Sequence, residues 1–170
     1  MYIETERMIV RDFILDDVND LYEILGDDET MKNCEPAYSF EKTKKFLSEF
    51  CIKKKGALAA VLKGSRKVIG YILFKELEGS VYEIGWFFNK NYWRHGYAYE
   101  SCSAVISYAF DELMAHKIIA ETIDRQKSVR LMEKLGMKLE GIERGQTKDN
   151  SGNPADLYLY GIRKDDFASM

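Results

Sequence analysis

The chain predicts a mixed α/β fold, with an antiparallel meander in its first half and a βαβα arrangement in its second. Three observations carry that prediction. Apolar segments 57–62, 68–77 and 81–88 follow one another through the short joins Lys63-Gly64-Ser65-Arg66 and Glu78-Gly79-Ser80. Such glycine-bearing turns suit consecutive antiparallel strands. After Gly96, the apolar positions Ala98, Cys102, Val105, Ile106, Ala109, Phe110 and Leu113 fall on one face of a helix. A further apolar segment, 117–123, then completes a strand–helix–strand order, which demands a parallel neighbour.

The remaining elements follow in order. Residues 7–13 alternate as a first strand, with Met8 and Val10 against Ile9 and Arg11. Asp16 is positioned to cap a helix through Leu21, Ile24 and Leu25 that stops at Gly26. Ser39 caps a longer helix with the apolar stripe Phe46, Leu47, Phe50 and Cys51, its lysines on the other face. Residues 128–135 read as a short helix ending at Gly136. Two closing strands, around 137–147 and 156–162, are joined through Asn150-Ser151-Gly152-Asn153-Pro154.

Composition bounds the function. A length of 170 residues at 46% hydrophobic content suits a single domain, 1–170, with a substantial core. A net charge of −3 supplies no drive toward nucleic acid. No apolar run has the length of a membrane span, and Met1 to Arg7 has neither the basic start nor the apolar centre of a signal peptide. Three scattered cysteines and two histidines form no metal-ligand spacing, so a reduced, cytoplasmic protein without a metal is expected.

The most informative stretch is 82–98. It reads as a strand, a loop with one glycine and the cations Arg94 and His95, then a helix starting near Gly96. Backbone N–H groups and the positive end of a helix dipole converge there, which suits a phosphate. A dinucleotide fold is disfavoured, because no G-x-G-x-x-G follows the first strand and no Walker loop is present.

Trp93-Arg94-His95-Gly96-Tyr97-Ala98 resembles the acyl-CoA-binding motif of the GNAT N-acetyltransferases, R/Q-x-x-G-x-G/A, with Trp93 in place of the usual Arg or Gln. Two further segments are similar to the ribosomal-protein N-terminal acetyltransferase-like branch. Thr5-Glu6-Arg7-Met8-Ile9-Val10-Arg11 resembles its opening T-E-R-L-x-L-R strand, and Ser128 to Met137 its S-x-R-L-x-E-K-L-G-F helix. The resemblance runs in order from residue 5 to about 162. It implies the acyltransferase fold of that family, acetyl-CoA as cofactor, and direct attack of a primary amine on the thioester. The amine would belong to a protein N-terminus or a small molecule. A non-catalytic acyl-CoA-binding module is the alternative. Monomer and homodimer both remain open.

The resemblance also implies a site. Phe87, Phe88, Arg94, His95, Gly96, Tyr97, Ala98 and Tyr99 would hold the cofactor. Glu83 is the first candidate for the base, sharing a strand face with Gly85 and Phe87, and equally reads as a solvent-facing or cross-strand-paired glutamate; Glu121 is held in reserve, behind a salt-bridged structural role. Ser128 sits where its hydroxyl can meet the departing thiolate, although a helix N-cap is the safer reading and both can hold. Met132 occupies the place of the family's usual acid, a tyrosine, which leaves Tyr158 and Tyr160 as substitutes. Asp27, Asp28, Glu29 and Glu35 lie between the first helices, as an attraction for a cationic amine or as a solvated loop.

Overall fold

The computed structural model describes residues 1–169. Its eight strands are β1 Tyr2–Glu4, β2 Met8–Asp12, β3 Ala57–Leu62, β4 Val68–Glu76, β5 Val81–Phe88, β6 Lys117–Thr122, β7 Lys138–Lys148 and β8 Pro154–Arg163. They form one sheet in the order β1-β2-β3-β4-β5-β6-β8-β7. The helices are α1 Val18–Leu25, α2 Asp28–Met31, α3 Phe40–Phe46, α4 Tyr97–Asp111, α5 Lys127–Lys134 and α6 Lys164–Ala168.

The expected mixed α/β fold is present. β2 to β5 form the antiparallel meander, and β5 and β6 are parallel across α4. β3, read as an unbroken apolar run, is buried on both faces. Leu58 and Ala60 join the core under α4, while Ala57, Ala59 and Val61 join the core under α1 and α3. Parting of successive side chains to opposite faces is what makes such a strand lose its polar alternation.

Some local expectations are corrected. The first helix begins at Val18, after a 3-10 turn at Leu15–Asp17, and Asp17 rather than Asp16 anchors the turn. Its carboxylate accepts from the Ile14 N–H at 2.9 Å and pairs with Arg11 at 2.8 Å. Ser39 does cap its helix, accepting from the Lys42 N–H, but α3 passes into a π-helix at Leu47–Lys53. There the Phe50 ring lies over Gly56, where any Cβ would come within 2.4 Å of it. β1, α2 and α6 are too short to leave a periodic signature.

The decisive feature is how β5 meets β6. Their pairing is confined to Val81 with Lys117, Tyr82 with Ile118, and Glu83 with Ile119. Beyond Glu83, β5 continues to Phe88 against β4 alone, while β6 follows β8. The two strands part, and the centre of the sheet opens.

Candidate active site

A cavity of 1160 Å³ fills that opening and reaches both faces of the sheet. One half lies beside α4 and α5, the other beside α2, α3 and the end of the β7–β8 hairpin.

The first half is built around residues 93–99. The Trp93 indole N–H donates to the Phe88 carbonyl at 2.7 Å, which ties the loop back to β5. Arg94 and Gly96 adopt the left-handed region, with φ of 65° and 81°. Left-handed residues just ahead of a helix turn consecutive amides to one side and make an anion-binding concavity. The N–H groups of Arg94 to Tyr99 have no acceptor among the described residues, and the first bond into this turn is from the Glu100 N–H to the Gly96 carbonyl. Such donors are satisfied by water or an anion.

Arg7, in the turn between β1 and β2, holds the loop. Its Nε is 2.7 Å from Glu100, its guanidinium donates to the His95 carbonyl at 2.9 Å, and it lies 4.5 Å from the centre of the Tyr97 ring. Glu100 also accepts from the Thr5 hydroxyl at 2.6 Å and the Arg7 N–H at 2.8 Å. Burial pushes the Glu100 carboxyl upward, but these donors together outweigh it and hold its pKa below the ordinary value. Cations gather at the same rim. Lys127, Arg130 and Lys134 share a face of α5 and line the cavity with Arg94. The Lys127 ammonium lies 4.1 Å from the Trp93 ring centre, and that of Lys134 4.3 Å from Tyr99. Trp93 therefore brings a cation to the loop that it does not itself carry.

The second half is apolar and aromatic with a carboxylate floor. Tyr71 stacks with Phe87 at 6.0 Å and tilts against Phe46 at 5.8 Å. Glu83 and Glu121 project from β5 and β6 onto this face, and both line the cavity. Asn150, in the turn after β7, donates to the Met31 carbonyl at 3.4 Å and closes the far side.

Comparison with known proteins agrees with this geometry. The model of the acetyltransferase (GNAT) domain matches residues 7–138. The chain belongs to the GNAT acetyltransferase family. It is 37% identical over 148 residues to the uncharacterized N-acetyltransferase YnaD of Bacillus subtilis, covering 83% of this chain and 85% of that one. A GNAT-family acetyltransferase structure from Bacillus anthracis superimposes with a TM-score of 0.87 at 31% identity, over 97% of this chain and 99% of that one. The ribosomal-protein-S5-alanine acetyltransferase of Vibrio fischeri shares the fold, with a TM-score of 0.81 at 20% identity over 98% of each chain. So does the spermidine N-acetyltransferase of Vibrio cholerae in complex with CoA and spermine, with a TM-score of 0.84 at 18% identity, over 96% of this chain and 99% of that one.

Within this GNAT fold the residues singled out from sequence separate into three groups. Arg94, Gly96, Tyr97, Ala98, Tyr99, Phe87, Glu83 and Ser128 line the cavity. His95 is exposed and does not border the cavity, its Nδ1 lying 2.7 Å from the Trp93 carbonyl, so it can contribute only its backbone. Phe88 also borders the cavity, though most of its ring is core, and Tyr160 is a correction. The Phe88 ring is buried against Gly70, where a Cβ would meet it at 2.4 Å, because period-two alternation sends it to the α4 core. Tyr160 is likewise buried in that core and does not border this cavity. Burial, then the nearby Glu133, pushes its hydroxyl's pKa up. Ser128 is not the helix cap. The helix starts one residue earlier, and the Asp124 carboxylate accepts from the N–H groups of Gln126 at 2.9 Å and Lys127 at 3.1 Å. Ser128 is thereby left with no capping bond and faces the cavity.

The two carboxylates differ in setting. Glu83 is paired with Lys75 at 3.1 Å. Glu121 has no ion pair or hydrogen bond among the described residues. Desolvation first, then the neighbouring charges of Glu83 and Glu143, raises its pKa above the ordinary carboxylate value. Arg7, Glu100 and Arg130 were not marked as site residues in the sequence. Arg7 and Glu100 lie 93 positions apart and only the sheet joins them. The Lys127, Arg130, Lys134 spacing of three and four was a legible signal for one cationic helix face.

Proposed function

We propose that this GNAT protein is a single-domain enzyme that transfers acetyl from acetyl-CoA to a primary amine, working in the cytoplasm. The observation that carries this reading is the free amide concavity at 94–99, ringed by Arg94, Lys127, Arg130 and Lys134, opening into the parted edge of β5. Unpaired amides and cations at a helix start suit a pyrophosphate. Beyond Glu83, the unpartnered edge of β5 suits an extended arm bearing amide groups, which adds to a sheet as a strand does.

Acetyl-CoA when bound supplies the activated acyl group. The chain's own residues then manage protons and position. The amine enters from the aromatic half as an ammonium ion and must lose a proton before it attacks. Glu121 is the better acceptor, since its raised pKa makes it more basic than an ordinary carboxylate. Glu83, tied to Lys75, raises that basicity and can relay the proton through water. The backbone of β5 binds and orients the donor arm. The Ser128 hydroxyl donates toward the departing thiolate, a part for which the buried Tyr160 is not placed.

Thiol release from acetyl-CoA against a panel of amines, with CoA binding followed by calorimetry, tests the proposal. Turnover with at least one amine is expected. CoA binding with no turnover on any amine would make the chain a binding module instead, and no CoA binding would reject both readings. No helix among the described residues is long and apolar enough to cross a membrane.

A further inference from the structure

The charge balance of the acceptor half narrows the kind of amine. Four carboxylates of α2, its following loop and the strand floor border the cavity there: Glu29, Glu35, Glu83 and Glu121. Glu35 faces Lys42 at 3.5 Å and Glu83 faces Lys75 at 3.1 Å, while the exposed Glu29 at the rim shares Lys90, 3.8 Å away, with Asp27 at 2.9 Å. Glu121 alone of the four lacks such a partner among the described residues. Lys32 and Lys148 also border this half, both exposed and without an ion pair among the described residues. Between floor and rim the wall is apolar and aromatic, formed by Met31, Tyr38, Phe46, Tyr71, Phe87 and Leu157. Tyr71 is buried, and its hydroxyl has no hydrogen-bond partner among the described residues.

We infer that the acceptor is a primary amine with one positive charge on an aromatic or aliphatic body, taken in preference to a polycation. The inference rests on the acetyl-transfer reading above. One free carboxylate at the floor receives one ammonium. The wall receives an apolar body, whose transfer from water is favourable in proportion to its buried area. A second ammonium further along the same substrate would meet that wall and then the Lys32 and Lys148 charges, which disfavour it by desolvation and repulsion. The single amine can belong to a small molecule or to a peptide N-terminus with an apolar first residue, since both present the same chemistry to the pocket.

Steady-state acetylation of phenethylamine, spermidine, and two peptides starting with Phe and with Lys separates these cases. Phenethylamine or the Phe peptide is expected to exceed spermidine by about tenfold or more in kcat/KM, and the better of the two identifies the source. Lys32→Glu combined with Lys148→Glu should shrink that ratio by improving spermidine. Equal or better use of spermidine by the unaltered protein overturns the inference while leaving acetyl transfer intact. An unmoved ratio in the double variant overturns the role of the rim. If no amine is acetylated, calorimetry of phenethylamine and spermidine on the CoA-saturated protein decides. Tighter spermidine binding, or none for either, rejects the inference, and the missing turnover counts separately against the acetyl-transfer reading.

Discussion

Replacing Gly96 with alanine tests the amide concavity most directly. Gly96 has φ of 81° and ψ of 7°, a left-handed conformation that a Cβ makes costly by about 1–2 kcal/mol. Space is not the obstacle, because the new Cβ would meet only the end of the Arg7 side chain at 3.4 Å. The same free energy must then appear in one of two places. If Arg7, Glu100 and Trp93 force the loop to keep its shape, the cost falls on folding. A domain of this size then loses about 2–4 °C in Tm per kcal/mol. If the loop relaxes instead, the amides turn away and the competent form becomes the minority, so the Kd for CoA rises about 5- to 30-fold. Thermal melts and calorimetric titration with CoA and with pantetheine, which lacks the pyrophosphate, measure both. Pantetheine affinity should not change. A variant with unaltered Tm and unaltered CoA affinity would refute the claim that 94–99 binds the pyrophosphate through its backbone.

The remaining expectations concern the residues around that loop and the floor. Glu100→Gln should weaken CoA binding several-fold and spare pantetheine, whereas an Arg7 that contacts phosphate directly would bind CoA more tightly once freed of its counter-charge. Because the folded state holds the Glu100 pKa below its ordinary 4.5, its contribution to stability is fully present above that pH and disappears as pH falls through the depressed value. In acid melts, Glu100→Gln should therefore flatten the fall in Tm. Glu121 has the opposite sign, its pKa being raised, so its charge opposes folding above that pKa while making it a better base. The acidic limb of kcat/KM should lie above the ordinary carboxylate value, and Glu121→Gln should remove that limb and cut turnover at neutral pH by about 10²-fold or more, with an equal or higher Tm. Trp93→Phe, which loses the 2.7 Å bond to the Phe88 carbonyl, should cost about 1 kcal/mol of stability in urea titration and loosen CoA binding.

The sequence by itself determined the mixed α/β class, the meander, the parallel crossover and the loop at 93–98. Each of these is written in local quantities: period-two and helical spacing, glycine at turns, and small residues where the backbone must bend. The Ser39 cap and the stop at Gly26 were legible for the same reason. Ser128 reads as a cap from residue type alone, but the helix starts before it, at Lys127, and the Asp124 carboxylate takes the Gln126 and Lys127 N–H groups ahead of it. Alternation alone separates Phe87 from Phe88 and Tyr158 from Leu157, but it does not say which face opens on a cavity. Only the tertiary structure decided that Tyr160 is core, that Phe88 is core yet touches the cavity, and that Phe87 and Glu121 face it. It did so by ending the β5–β6 pairing at Glu83 and Ile119, since a sheet that parts exposes one strand edge and the residues beside it. The same holds for Arg7 and Glu100, whose charges are far apart in the chain and meet because β2 lies against α4.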